Sequence, residues 1–354
     1  MTDKAQIAVI GTGWWSTYTH IPGLQNNQDA ALVAICDRDA ARLDAAAEAY
    51  HIEQTYTDHR AMLTQEALDG VVIATNHASH FALARDCLEN GLHVLLEKPM
   101  TLFAREALEL VELARAQQRQ LVVGYPYNYL PYAVRSQAII LSGELGQIQF
   151  INCVFCSNII SLLRGEHNVS GPVHGPGKVY SNPTLSGGGH GHLQMTHPLG
   201  LLYFITGLRA RRVSAMMHKH GLALDLVDAM TVEFENGALA SIGGTGNLGD
   251  GGGRKFDLQI FCENGSLDLD VCTGQAIIYR AEQPPEPIEP AISEADGYRR
   301  FHPANNLVDI ILGRAENGSP ADVGWRAVET LDAAYRSARQ EGLPISTALL
   351  YKMG

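Results

Sequence analysis

The chain has 354 residues, of which 46% are hydrophobic, and a formal net charge of −12 at pH 7. Because an ordinary domain has roughly 150 residues, this length and apolar content predict two hydrophobic cores. The negative charge argues against nucleic acid and anionic membranes as partners, and every apolar run is shorter than the roughly 20 residues that span a bilayer.

The first predicted elements form a strand, a glycine turn, a helix and a second strand. Residues 1–4 lead directly into the apolar run 6–10 without a signal peptide, so we expect a cytoplasmic protein. Gly11 permits a tight turn, and Gly13 lets the backbone approach a pyrophosphate at the N-terminus of the helix. The second apolar run, 32–36, ends at Asp37, where a carboxylate accepts hydrogen bonds from ribose hydroxyls.

This order of elements predicts a dinucleotide site, although a plain strand-to-helix turn would give part of the same pattern. Ser16 replaces the third glycine of the fingerprint, which weakens the motif without removing its function. The carboxylate of Asp37 would repel a 2′-phosphate, so NAD is favoured over NADP as the cofactor. The neighbouring Arg38 leaves NADP open.

Strands and helices then alternate up to residue 124. We predict helices at 39–50, 79–90 and 104–118, and strands at 70–75, 93–96 and 121–124. Strands joined by helical crossovers form a doubly wound parallel sheet, whose ligands bind at the carboxyl ends of the strands. Asn76, Lys98 and Tyr125 follow such ends. The sequence therefore predicts that Lys98 lies at the crevice where the nicotinamide of the cofactor would bind.

The second part of the chain has a different pattern. Strand-like segments recur at 148–156, 212–217, 229–234, 238–243, 256–261 and 276–279, separated by turns such as Glu235-Asn236-Gly237. They predict an open, mainly antiparallel sheet in a second domain, 125–354, after a Rossmann domain, 1–124. The six cysteines lie in apolar segments, so we assign them to core packing. Residues 249–253 are predicted to be a flexible loop.

With these motifs the chain resembles the Gfo/Idh/MocA oxidoreductases, the family of glucose-fructose oxidoreductase and inositol dehydrogenase. The matching residues, in chain order, are Gly11-Thr12-Gly13, Asp37, Asn76 with His80, Glu97-Lys98-Pro99, Pro131 with Gly143-Glu144-Leu145-Gly146, and Gly187-Gly188-Gly189 followed by His197. The resemblance covers nearly the whole chain. It implies hydride transfer at a sugar or polyol carbon, with Lys98 and His197 acting on the reacting hydroxyl.

The resemblance also implies binding residues and an oligomer. The cofactor-binding residues would be Gly11, Thr12, Gly13, Trp14, Trp15, Asp37, Arg38, Thr75, Asn76, His80, Glu97 and Lys98, and those of the sugar pocket would include Tyr125, Tyr127 and Asn128. In the family, the sheet of the second domain often builds dimers and tetramers. We therefore expect a homodimer or homotetramer.

The chain departs from the family beside His197. Leu193 and Met195 stand where the family's motif has Asp and Gly, and Gly200 stands where an acid is often found. His190, His192 and Gln194 supply polar groups nearby, and we expect them to bind substrate hydroxyls. A metal site would need a carboxylate or thiolate beside these histidines, so we predict no metal.

A second departure is the segment 157–186, rich in glycine and proline. Arg164, His167 and Lys178 could bind an anionic substituent such as a carboxylate, phosphate or sulfonate. The alternative is a solvated loop, and the sequence leaves both open.

Three functions remain open at this point. The first is an NAD-dependent sugar dehydrogenase. The second is a glycosidase that oxidises a sugar carbon, eliminates the aglycone, adds water and returns the hydride, because the run from Gly124 to His192 resembles NAD-dependent sulfoquinovosidases. The third, a cofactor-binding sensor without catalysis, is disfavoured by the presence of both Lys98 and His197.

Overall fold

The N-terminal part of the chain folds into a parallel sheet. The computed structural model describes residues 4–166, 173, 175–249, 253–288 and 298–352. The strand order is β3-β2-β1-β4-β5-β6, with β1 (Ala5–Ile10), β2 (Ala30–Cys36), β3 (Thr55–Tyr56), β4 (Gly70–Ile73), β5 (His93–Leu96) and β6 (Leu121–Val123). Ala8 and Ile10 belong to one hydrophobic cluster, and Ile7 and Val9 to another, so both faces of β1 are buried. The doubly wound parallel sheet is thereby confirmed.

Helices follow the strands as the sequence predicts, with ends that differ by a few residues. They are α1 (Ile21–Asn26), α2 (Ala40–Tyr50), α3 (His59–Gln65), α4 (His80–Glu89), α5 (Ala104–Ala116), α6 (Pro131–Leu141), α7 (Ile160–Arg164), α8 (Pro183–Ser186), α9 (Thr196–Thr206), α10 (His302–Ile311) and α11 (Ala321–Ala338). Two π-helical stretches, Ser16–His20 and Gly191–Met195, run directly into α1 and α9. Such stretches are frequent at functional sites.

The second domain contains a mixed, mainly antiparallel sheet of nine strands. Its order is β14-β13-β12-β11-β7-β10-β9-β8-β15, with β7 (Ile148–Cys156), β8 (Ala210–His218), β9 (Val227–Phe234), β10 (Leu239–Thr245), β11 (Lys255–Cys262), β12 (Gly265–Asp270), β13 (Gln275–Arg280), β14 (Glu286–Pro287) and β15 (Ile345–Ser346). The pair β7 and β10 is parallel, and the other neighbours are antiparallel. All six predicted strands are present.

The C-terminal helices connect the two sheets. Helix α10 packs against β4, β5 and β6 of the first sheet, and Asn305 on it accepts a hydrogen bond from Asn27. Helix α11 packs against both α5 and β8. The chain therefore returns to its first domain after completing the second, and the division at residue 124 stays a prediction.

The structure also bears on the cysteines and on membranes. All six thiols are free; Cys153 is buried, and Cys156, three residues along β7, is half-buried.

Across the described ranges, none of the helices combines the length and apolarity that crossing a membrane requires.

Candidate active site

The turn after β1 has the shape that a dinucleotide needs. Gly11 adopts φ of +96°, and a Cβ there would lie 2.5 Å from the carbonyl oxygen of Ala74. Around Gly13, by contrast, a Cβ would meet no atom within 4 Å. The helical residues begin at Trp14, and the first N–H groups of a helix have no acceptor within the helix itself. These residues fit a pyrophosphate.

Asp37 is fixed at the carboxyl end of β2. Its Oδ2 accepts hydrogen bonds from the backbone N of Thr12, at 2.9 Å, and from Thr12 Oγ1, at 3.2 Å. Arg38 is exposed, whereas Arg42 Nη1 lies 3.9 Å from Asp37 Oδ2. Arg42, which was not among the residues predicted from the sequence, is therefore nearer to Asp37 in charge contact than the predicted Arg38. The arrangement holds the carboxylate where a ribose hydroxyl would approach.

A buried carboxylate organises the cofactor side of the crevice. Glu97 accepts hydrogen bonds from Trp15 Nε1 at 2.9 Å, from His20 Nε2 at 2.9 Å and from the backbone N of Lys98 at 3.1 Å. Burial alone would raise the pKa of Glu97, but the hydrogen bond and charge of His20 hold that pKa below its ordinary value. Glu97 thus links the helix that follows the glycine turn to the end of the strand that precedes Lys98.

Residues 75 to 80 close the same end of the sheet. Thr75 Oγ1 accepts a hydrogen bond from Ser79, and Asn76 is half-buried at the start of a short 3₁₀ turn. His80 is buried, and its Nδ1 lies 2.8 Å from the carbonyl oxygen of Pro99. It therefore supports the turn after Lys98 from behind. Trp14 stacks on Tyr18, with ring centroids 6.3 Å apart.

Lys98 joins the two domains. Its Nζ donates a hydrogen bond of 3.1 Å to the backbone carbonyl of Leu193, which lies on the π-helix of the second domain. Burial lowers the pKa of Lys98, and the charge of Glu97 opposes that shift. Leu193, which stands where the family has Asp, therefore contacts Lys98 through its backbone carbonyl.

His197 is buried one helical turn beyond Leu193, among aromatic rings. Ring centroids of Tyr127, Tyr298 and Phe155 lie 5.6, 6.2 and 6.4 Å from that of His197. Burial, followed by the charges of Lys98 and Arg254, lowers the pKa of His197 well below 6.5. No hydrogen bond joins it to a carboxylate of the described residues. The imidazole is therefore neutral at neutral pH and can accept a proton.

The glycine-rich segment before the π-helix is held by residues that the sequence analysis missed. Asp225 accepts hydrogen bonds from the backbone N of Gly189 at 2.8 Å, from that of Gly191 at 2.7 Å and from Tyr335 Oη at 3.0 Å. A Cβ at Gly189 would lie 2.0 Å from the carbonyl oxygen of Asp225, and one at Gly188 would lie 2.1 Å from Tyr335 Oη. Glycine is therefore required at both positions, because the neighbouring atoms lie too close for a side chain.

The two histidines of this segment are engaged with protein groups. His190 Nδ1 lies 2.8 Å from Asp228 Oδ2, and burial raises the pKa of Asp228 to about 7. His192 stacks on Tyr335 at 4.4 Å, and burial lowers the pKa of His192 to about 4. Both side chains are buried, whereas Gln194 is half-buried on the π-helix. The sequence does offer a sign of these partners, because Asp225 and Asp228 stand within the otherwise apolar run 224–228.

The other residues predicted for the sugar pocket separate into two groups. Tyr127 contacts His197, and Tyr125 Oη lies 2.8 Å from Thr196 Oγ1. Asn128 instead donates to Ser319 Oγ, just before α11. A Cβ at Gly200 would lie 2.8 Å from the Tyr125 ring, which explains the missing acid there.

The predicted cationic loop is exposed where the structure describes it. Arg164 at the end of α7 and Lys178 are both open to solvent, and His167 lies outside the described residues. Within the described ranges, no group of three or more His, Cys, Asp or Glu residues is arranged to hold a metal ion.

Two further residues at the crevice were missed by the sequence analysis. Tyr298 packs against Trp15 with ring centroids 6.1 Å apart and against Tyr127 at 5.4 Å. The guanidinium of Arg254 lies 5.8 Å from the Tyr127 centroid and 6.0 Å from that of Tyr298. Both residues lie beside segments that the sequence pattern marks only as loops.

Comparison with family models gives two matches. Residues 5–125 match a model described as an oxidoreductase family with an NAD-binding Rossmann fold, and residues 134–268 match a Gfo/Idh/MocA C-terminal domain. Together the two matches cover most of the chain.

Curated relatives match over part of their length. An uncharacterised oxidoreductase of Synechocystis is 34% identical over 145 residues, which are 41% of this chain and 39% of that protein. A D-apiose dehydrogenase of Paraburkholderia graminis is 32% identical over 139 residues, which are 39% of this chain and 37% of that protein. The chain therefore spans less than half the length of these relatives.

Solved structures match over nearly the whole fold. An inositol dehydrogenase homologue from Azotobacter vinelandii, complexed with NAD⁺, has a TM-score of 0.81 and 22% identity and covers 98% of both chains. At this identity the likeness shows the fold.

Proposed function

Because the chain belongs to the Gfo/Idh/MocA oxidoreductases and carries their NAD-binding Rossmann domain, we propose that it transfers hydride between NAD and a carbon of a sugar or polyol. The observation that carries the proposal is the approach of Lys98 to the helix of His197. Lys98 Nζ contacts the carbonyl of Leu193, four residues before His197 on one continuous helical stretch. The amine therefore lies beside the helical stretch that carries His197, and its charge acts on that imidazole.

The two side chains have complementary tasks in this proposal. Bound NAD supplies the hydride acceptor. The Lys98 ammonium donates a hydrogen bond to the reacting oxygen and stabilises negative charge there. The neutral His197 accepts the hydroxyl proton, because the lowered pKa leaves its ring unprotonated. Substrate hydroxyls would meet Tyr127, which is buried beside His197, and Gln194, which is half-buried on the π-helix.

The relatives' names support a sugar or polyol substrate. D-apiose dehydrogenase is named for its action on a sugar, and the Azotobacter homologue has also been crystallised with NADH and myo-inositol. The proposed net reaction is therefore dehydrogenation of a sugar or polyol.

A second candidate is a redox-neutral glycosidase that acts on an anionic sugar glycoside such as a sulfoquinovoside. The observation that favours it is the electrostatics of His197, which has two cations nearby and no carboxylate partner among the described residues. In this reaction the hydride returns to the substrate, so no NADH would accumulate.

The two candidates are separated by supplying NAD with neutral and acidic sugars and with chromogenic glycosides. Continuous NADH formation with a free sugar supports dehydrogenation, whereas aglycone release without net NADH supports the glycosidase. If neither reaction occurs across the panel, hydride transfer is refuted.

The Lys98→Met variant tests whether the proposed site is responsible. We expect turnover to be lost while NAD binding survives, because the glycine turn is unchanged. The matched control is Lys219→Met, which removes an exposed lysine in the turn after β8. Wild-type turnover in Lys98→Met would refute the proposed role.

We also propose that the chain forms a homo-oligomer through the outer face of the second sheet. Leu239, Phe150 and Phe261 are in register on neighbouring strands, and each is at least 40% exposed. A row of exposed apolar side chains of this kind fits an interface with a second copy.

A further inference from the structure

Arg254 lies beside the aromatic rings that surround His197. It precedes β11, and its guanidinium lies about equally far from the rings of Tyr127 and Tyr298. Both rings contact His197 edge-on. Arg254 is nevertheless exposed, so a ligand that enters the crevice can reach its charge.

The charge of Arg254 is not balanced within the described part of the chain. No carboxylate there forms an ion pair with it, although Lys255, the next residue, pairs with Asp257. Burial raises the pKa of Tyr127 to about 12, and burial likewise raises the pKa of Cys272 beside the guanidinium. Both groups therefore stay protonated at neutral pH. The described residues thus give this guanidinium only the neutral partners Tyr127 and Cys272, so its positive charge can attract an anionic group.

Two cations thus act on one neutral imidazole. The charges of Lys98 and Arg254 both disfavour protonation of His197. Lys98 follows β5 of the first sheet and Arg254 directly precedes β11 of the second, so the two cations act on the imidazole from different parts of the fold. A substrate whose hydroxyl meets Lys98 and His197 could present a second group to Arg254.

We propose that Arg254 binds an anionic group of the substrate, so that the enzyme acts on acidic sugars. This inference rests on the function proposed above. A planar guanidinium pairs with the oxygens of a carboxylate, sulfonate or phosphate through parallel hydrogen bonds. Arg254 is better situated for this than Arg164 or Lys178, because it contacts the same rings as His197.

The test is binding to the NADH-loaded protein, in which no oxidation can occur. Dissociation constants are measured calorimetrically for D-glucose, D-glucuronate, sulfoquinovose and glucose 6-phosphate. We expect at least one acid to bind on the order of 10- to 100-fold more tightly than glucose. The acid that does so identifies the anionic group as carboxylate, sulfonate or phosphate.

Three variants identify the residue responsible. Arg254→Gln should bring the ratio of acid to glucose affinity close to one, and Arg254→Lys should retain part of the preference. Lys255→Gln removes a neighbouring charge that already has a partner and should keep the wild-type ratio. Circular dichroism spectra and thermal unfolding verify that each variant is folded.

Two outcomes overturn the proposal. One is a wild-type protein that binds none of the three acids better than glucose. The other is an acid preference that survives in Arg254→Gln. Failure of the proposed hydride transfer would appear separately, as absence of both NADH formation and aglycone release in the assays with NAD.

Discussion

At the scale of single residues, burial sets the chemistry of the site. His197 is 5% exposed and lies among aromatic rings, which makes its charged form costly, and the two nearby cations add to that cost. Lys98 is half-buried, and the charge of Glu97 next to it favours its charged form. The pair is therefore suited to a neutral base beside a cationic hydrogen-bond donor.

These shifts predict the pH dependence of kcat/KM. We expect an acid limb below pH 6.5, because protonation of His197 removes the base and its pKa is lowered from that value. An alkaline limb should begin below pH 10.5, because the pKa of Lys98 is lowered from 10.5 and loss of its proton removes the donor. The rate profile of the wild-type enzyme measures both limbs.

The variant His197→Gln assigns the acid limb. It should lower kcat by roughly 10²- to 10⁴-fold, the usual loss when a general base is removed, and it should abolish the acid limb. An acid limb that stays in place in His197→Gln would contradict the assignment to His197.

At the scale of elements, the glycine segment 187–191 fixes the geometry of the site. Its backbone runs against Asp225 and Tyr335 and then enters the π-helix that carries Leu193. The Lys98 contact therefore depends on a segment whose glycines, Gly188 and Gly189 among them, leave no space for a side chain.

Substitution of Gly189 tests this dependence. A Cβ in Gly189→Ala would lie 2.0 Å from a backbone oxygen, which cannot be relieved by a side-chain rotation. We expect the free energy of unfolding to fall by about 1–3 kcal/mol, and kcat to fall as the π-helix shifts. Urea denaturation measures the first effect.

The control for this prediction is Gly249→Ala. A Cβ at Gly249 meets no atom within 4 Å, so this variant should have wild-type stability. Equal effects of the two substitutions would refute the close-approach explanation.

The elements themselves could largely be predicted from the sequence. The strand β7 has the bounds predicted, because a mostly apolar run of nine residues follows the turn that ends at Gly146. The two-residue strands β3, β14 and β15 were missed, because such short segments show no periodicity. The six-residue strand β12 was missed as well. Lys98 and His197 were recognised because each lies within a local motif, and their roles stay predictions.

The supporting residues could not be predicted in the same way. Tyr335 and Asp225 are 110 residues apart in the chain, and their contact depends on how α11 packs. The positions of Arg254 and Tyr298 beside the Tyr127 ring likewise depend on the tertiary structure of the second domain. No local pattern indicates such long-range contacts.

At the scale of the whole molecule, the outer face of the second sheet should control assembly. Phe150 and Phe261 lie side by side, with ring centroids 6.1 Å apart. We expect Phe261→Lys to shift the protein from an oligomer to monomers, because it would bury a charge in an apolar interface. Light scattering coupled to size exclusion measures the mass.

The control is Leu141→Lys at the end of α6, a residue that is 62% exposed and lies on a helix packed against α9. It should leave the mass unchanged. A monomeric wild-type protein would contradict the proposed assembly.

The hydrogen bond from Lys98 to the carbonyl of Leu193 also makes the two halves of the molecule thermodynamically dependent on each other. The lysine follows a strand of the first sheet, and the carbonyl belongs to a helix of the second domain. A ligand that fixes one side of this contact changes the free energy of the other, and such coupling is reciprocal. If NADH tightens the affinity for a sugar by some factor, that sugar must tighten the affinity for NADH by the same factor.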